Sequence, residues 1–202
     1  MLNQDEPYVR TGIDGPVVKY IAVVTMFIDH FAYCFAHRLP GAAVTVMRGI
    51  GRLAFPAFCL LLVQGFRHTR SVKNYGLRLA AAALLSEIPF DLMIFGKLWE
   101  PAGQNVIWTL LLSLGMLYAM DLAAQRGGKM RPYLQAGALA AACAAGWLIK
   151  SDYGPEGPAL TALLQFLPIN IYSGQRPQKG KYFYYIFYPA HMLCLALLRR
   201  WI

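Results

Sequence analysis

The chain is predicted to be all-α, a polytopic integral membrane bundle of about six to seven transmembrane helices. Three observations predict it. Of the 202 residues, 57% are hydrophobic and only 14% charged, against roughly 25% charged in soluble domains. Several apolar runs are long enough to cross a bilayer. The loops between them are short, which leaves no room for a soluble domain, so residues 1–202 are read as one membrane domain.

The elements follow in order. Apolar runs over about 16–36, 49–66, 74–95, 104–123, 132–149 and 182–201 are expected membrane helices, with a shorter one at about 159–172. Residues 1–15 are polar, and the first run lacks an A-x-A-like cleavage site, so no signal peptide is expected. Residues 136–146, AGALAAACAAG, permit close helix packing. No internal repeat is visible. Cys34, Cys59, Cys143 and Cys194 form no C-x-x-C, which argues against a disulfide framework or a zinc site.

A net charge of +9 would suggest nucleic acid for a soluble protein. Here the basic residues sit mostly in short loops, where they act as orientation signals and as lipid or cofactor contacts. No zinc-finger or RNA-binding pattern is present, and nucleic acid is not an expected partner. Arg67, Arg70, Lys73 and Arg78 form one basic segment, Arg126, Lys129 and Arg131 a second, and Arg176, Lys179 and Lys181 a third. If 159–172 crosses the membrane, all three fall on the side of the N-terminus, which the positive-inside rule makes the cytoplasm. The expected location is the cytoplasmic (inner) membrane. Asp29, His30, Arg52, Glu87, Asp91, Asn105, Asp152 and Tyr153 then converge near the outer face.

Intramembrane ionisable residues cost roughly 2.5–3.5 kcal/mol each on insertion scales, which makes them candidate functional groups. Asp29 and His30 adjoin in V-V-T-M-F-I-D-H-F, residues 23–31. On a helix they point about 100° apart and cannot bond each other. The histidine can serve as a general base, or the pair can simply lock helices together. In G-I-G-R-L-A-F-P-A-F, residues 49–58, Pro56 implies a kink, and Arg52 is the natural counter-ion for a buried carboxylate. An interfacial arginine snorkelling to headgroups is its plainer role. Glu87 and Asp91 in S-E-I-P-F-D share a helix face, with Pro89 between them expected to bend the helix. One of the two is expected to hold a proton or pair with Arg52.

Asn105 can donate to an oxyanion or cap its own helix. Y-P-A-H, residues 188–191, places Tyr188 and His191 within the last helix, and Asp152 lies in a turn-like D-Y-G. No compact metal-ligand spacing joins Asp29, His30, Glu87 and Asp91, so no metal is expected. The stretch R-H-T-R-S-V-K-N-Y-G-L-R, residues 67–78, is either plain positive-inside charge or a phosphate-binding mouth.

These motifs resemble those of the TraX family, whose founding member acetylates the N-terminus of F-type conjugative pilin. The matching pieces are M-F-I-D-H at 26–30, G-R-L-A-F-P-A-F at 51–58, G-F-R-H-T-R at 65–70 and N-Y-G-L-R-L at 74–79. They continue with S-E-I-P-F-D at 86–91, N-V-I-W-T-L at 105–110, D-Y-G at 152–154 and F-Y-Y-I-F-Y-P-A-H at 183–191. The family is similar to a wider superfamily of membrane acyltransferases.

The resemblance implies an acetyltransferase that takes acetyl-CoA from the cytoplasm and delivers acetyl to an acceptor at the outer face. The acceptor would be a pilin amine, or an amine or hydroxyl of a carbohydrate or small molecule. It further implies His30 as base or acetyl carrier, Asp29, Arg52 and Glu87 as its support, and Asn105 on the thioester oxygen. Arg67, His68, Arg70, Lys73 and Arg78 would hold the cofactor phosphates, and Asp91, Asp152, Tyr188 and His191 would support the substrate. The family pattern leads one to expect a further full span after Gly154, where this chain has only the short 159–172.

Two rival readings remain at this level: a proton- or ion-coupled transporter, and a non-enzymatic pilus or membrane assembly factor. The polar cluster's place toward one face and the lack of an inverted repeat count against transport. Self-association is open.

Overall fold

Inside a bilayer every backbone N–H and C=O must be satisfied within the chain, and a helix does this segment by segment. The structure, a computed structural model, describes residues 9–10, 15–167, 169–170 and 183–201. The basic cluster at 176–181 lies outside the described residues, as do 168, 171 and 172 of the expected 159–172 helix; Ile169 and Asn170 of that stretch are strand and not helix. The architecture is helical: α1 (Gly15–Cys34), α2 (Gly41–Gly51), α3 (Ala54–His68), α4 (Val72–Ile94), α5 (Val106–Arg126), α6 (Arg131–Leu148), α7 (Glu156–Phe166) and α8 (Phe183–Trp201). A two-residue parallel pairing joins β1 (Val9–Arg10) to β2 (Ile169–Asn170), with Val9 opposite Ile169.

Three stretches are both long and apolar enough to cross a membrane: Gly15–Cys34, Gly41–His68 and Val106–Arg126. The other expected spans are helical but less apolar. In α4 the cause is Lys73, Arg78, Glu87 and Asp91, and α8 ends in Arg199 and Arg200. Helix α7 has 11 residues, about 16–17 Å at 1.5 Å per residue, roughly half a hydrocarbon core.

The second expected helix starts earlier than the sequence suggested, at Gly41 instead of about residue 49. Its break falls at Arg52 and Leu53, between α2 and α3. Pro56 accounts for the position. A proline ring clashes with the carbonyl four residues before it, here that of Arg52, and removes a hydrogen bond. At the third position of α3 its missing N–H costs nothing, because the first turn has no internal acceptor. Pro89 does not interrupt the helix: α4 runs on through it.

The described residues fall into two compact units, and α3 and α4 contribute to both. The first unit holds 62–83 and 102–167 with the β1–β2 pair. There α5 packs on α6 and α7, which also pack on each other. Leu110, Leu114, Met116, Leu117 and Met120 of α5 are buried. Gly146 of α6 lies against the turn that follows: a Cβ there would come 2.5 Å from the Gly154 carbonyl oxygen. That turn is tied to residue 104, whose N–H donates to the Lys150 carbonyl and whose carbonyl accepts from the Asp152 N–H. Close approach in the small-residue stretch is therefore concentrated at its end.

The second unit holds 15–61, 84–101 and 183–201. Helix α1 packs on α2 and α8, burying Ala22, Met26 and Ala32 of α1 and Met192 and Leu195 of α8. Within 84–94 the usual polarity of a soluble protein is inverted. Leu85 is 73% exposed, while Asp91 is fully buried, and Ser86 and Glu87 are buried with it. Leucines turned outward and acids turned inward are what a lipid solvent selects.

Candidate functional site

The site is built on α1, whose fourth and fifth turns place Asp29 and His30 on different faces. Asp29 turns to α2. Its Oδ2 accepts from Arg48 Nη1 at 2.7 Å. Arg48 also lies 5.6 Å from the centre of the Tyr33 ring, a distance at which the ring face attracts a cation. The aspartate's Oδ1 is buried and makes no hydrogen bond among the described residues. Gly51 is what allows this packing, since a Cβ at 51 would overlap the Cβ of Asp29.

Arg48 is the cation on another helix that Asp29 is expected to meet; Arg52, expected as counter-ion of a buried carboxylate such as Glu87 or Asp91, is not that partner. Arg52 ends α2 and is exposed, and it acts on Asp29 only through its charge at longer range. Arg48 could have been found from the helix starting at Gly41. The sequence reading begins the helix at about residue 49, which leaves 41–48 and Arg48 outside it; Gly41, just after Pro40, argues against a helix start there.

His30 turns to α8. Its Nδ1 lies 2.7 Å from Nε2 of His191. The ring planes are 3° apart and their centres 5.0 Å. A single close nitrogen pair between rings so oriented is an edge-to-edge hydrogen bond. His191 Nδ1 lies 2.8 Å from the Phe187 carbonyl oxygen. Pro189 shapes this turn of α8 by removing one N–H from its ladder. Tyr188 is buried, its ring steeply inclined to those of His30 and His191, with centres 6.4 and 5.9 Å away. His30 is half-buried and His191 buried.

The other expected residues are engaged differently. Asp91 accepts the Glu100 N–H at 2.8 Å, which ties the chain after α4 back to the helix. Lys97 and Glu100 pair at 2.5 Å in that connection. The Glu100 hydrogen bond, then its charge, holds the Lys97 ammonium above the ordinary lysine pKa. Glu87 is buried in α4. Arg52 is exposed, whereas Glu87 and Asp91 are buried. Asp152 is exposed on the turn after α6.

In the first unit Asn105 is the N-cap of α5. Its side-chain oxygen accepts the Ile107 N–H at 3.0 Å, and its amide donates to the Ala83 carbonyl at 2.9 Å. Of its two expected roles, capping is the one seen. Arg67 donates to the carbonyl of Gln165 and, at 3.4 Å, to that of Leu167. It thereby caps the C-terminal end of α7, where carbonyls lack partners and a cation is favoured. Arg78 lies 5.7 Å from the centre of the Tyr75 ring. His68, Arg70 and Lys73 are exposed. Arg70 and Lys73 are the cations of this segment most open to an external phosphate. Among the described residues, no group of three or more His, Cys, Asp and Glu could hold a metal.

Fold and site together define a helical integral membrane protein that keeps ionisable side chains within its bundle. The model of the TraX protein family matches residues 14–162, well over half the chain, and the chain belongs to that family. It is also similar to a probable fimbrial assembly protein FimC, serogroup H1, of Dichelobacter nodosus. The two are 26% identical over 232 residues, spanning 89% of this chain and 93% of the relative. No solved structure matches.

Proposed function

We propose that this protein is a membrane acetyltransferase that moves an acetyl group from acetyl-CoA to an amine or hydroxyl acceptor, with His30 as the base. The observation that carries the reading is His30 itself. It is an intramembrane histidine with one ring nitrogen held by His191, on the same helix as the ion-paired Asp29. Such a group is costly to keep unless it is used. In the reaction the acceptor N–H or O–H gives its proton to His30 as its lone pair attacks the thioester carbonyl. The carbon–sulfur bond breaks, and the departing thiolate takes the proton from His30. The products are the acetylated acceptor and CoA.

The exposed cations Arg70 and Lys73 suit the phosphates of the donor. The name of the Dichelobacter relative supports a pilus-related acceptor. The net charge placement supports a cytoplasmic-membrane location with the N-terminus inside.

The test is to mix purified protein with labelled acetyl-CoA and measure binding and CoA release. His30→Ala should lower release by about 10²–10⁴-fold with helical content unchanged. Absence of binding at millimolar donor, or full activity in the variant, would overturn the reading and leave an assembly role without catalysis.

A further inference from the structure

We infer that His191 is a positioning residue that fixes the tautomer of His30 and so directs its basic nitrogen, Nε2, away from α8. The inference rests on the reading of His30 as base. It follows from accounting for two hydrogens. A carbonyl oxygen only accepts, so the nitrogen 2.8 Å from the Phe187 carbonyl, His191 Nδ1, carries a hydrogen. A neutral imidazole has one N–H, which leaves His191 Nε2 as an acceptor. The nitrogen 2.7 Å from it, His30 Nδ1, must then donate. His30 Nε2 is left with its lone pair. Both rings being neutral agrees with their place among Phe27, Phe187 and Tyr188, where a charge would be poorly solvated.

The relay runs from the Phe187 backbone through His191 to His30 and ends on the nitrogen that takes the proton. When Nε2 is protonated, Nδ1 still donates to His191, so the accepting lone pair stabilises the cation that forms. The role is that of the third group in nucleophile–base systems, which orients the base without reacting. Here a neutral imidazole anchored to a carbonyl fills it. The i, i+4 spacing of Phe187 and His191 on α8 makes the anchor a local helix feature.

The tautomer can be read without activity. The chain has four histidines. Nitrogen-15 spectra of histidine-labelled protein, assigned with His30→Gln and His191→Gln, should show His30 protonated at Nδ1 in the wild type. A wild-type His30 protonated at Nε2 would overturn the inference, whether or not the protein proves to be an acetyltransferase. With activity in hand, His191→Phe should lower kcat by roughly 10–10²-fold with little change in KM for acetyl-CoA. His191→Gln, which presents an amide oxygen near the place of Nε2, should recover most of that loss. Equal activity in the Phe and Gln variants would also overturn it. If the Nδ1–H tautomer is found but no variant or wild type transfers acetyl, the geometry stands and the acetyltransferase reading fails.

Discussion

Gly51→Ala tests the geometry around Asp29 most directly. A methyl at 51 overlaps Asp29 Cβ and comes 2.5 Å from Oδ1 and 2.7 Å from the carboxyl carbon. Cβ cannot rotate away, so α1 and α2 must part or the helix end must shift. Overpacking of this kind costs about 1–3 kcal/mol. The shift also loosens the Arg48–Asp29 pair, whose side chains are 32% and 18% exposed. Solvent screening limits that second loss to about 1 kcal/mol.

Gly49→Ala is the control. It lies in the same helix with nothing within 4 Å of a built Cβ, so the change should stabilise by about 0.5–1 kcal/mol through helix propensity. Thermal unfolding in detergent should therefore separate two Gly→Ala changes two residues apart by several degrees, in opposite directions. In an Asp29→Gly background the Gly51→Ala penalty should largely vanish, since the atoms it meets are gone. Equal effects at 49 and 51, or a penalty that persists without the Asp29 side chain, would refute the reasoning.

Two further outcomes are expected. Asn105→Ala removes the cap of α5 and the hydrogen bond that the Asn105 amide donates to the Ala83 carbonyl, and should cost about 1–3 kcal/mol in unfolding experiments. Asn105→Asp keeps the cap and should cost less. Arg67→Gln should loosen the end of α7, raising hydrogen exchange over 163–167 while leaving α5 protected. If Arg67 served donor phosphates instead, the variant would weaken acetyl-CoA binding without that local change.

The lipid-facing pattern made most of the helices legible, because apolar length is a property of local sequence. The first part of α2, 41–48, escaped because Pro40 and Gly41 argue against helix locally, while packing on α1 supports it. Gly51 is there for the neighbour and not for its own backbone, and nothing in the sequence around 51 reports Asp29. For the same reason Arg52, conspicuous at the start of an apolar run, stands out as a counter-ion, while Arg48, which pairs with Asp29, does not. Asn105 had two readings, and the distance to Ile107 selected capping.

The sequence by itself determined that the chain is a helical membrane protein, that Asp29, His30 and His191 lie in apolar segments, and which family motifs it carries. These follow from composition and order along the chain. Tertiary structure alone decided the pairing of partners. His30 and His191 are 161 residues apart, and the tautomer that makes one nitrogen basic depends on a carbonyl and a ring brought to it by packing. Hydrogen-bond direction is a fact of three-dimensional neighbours, and no local pattern encodes it.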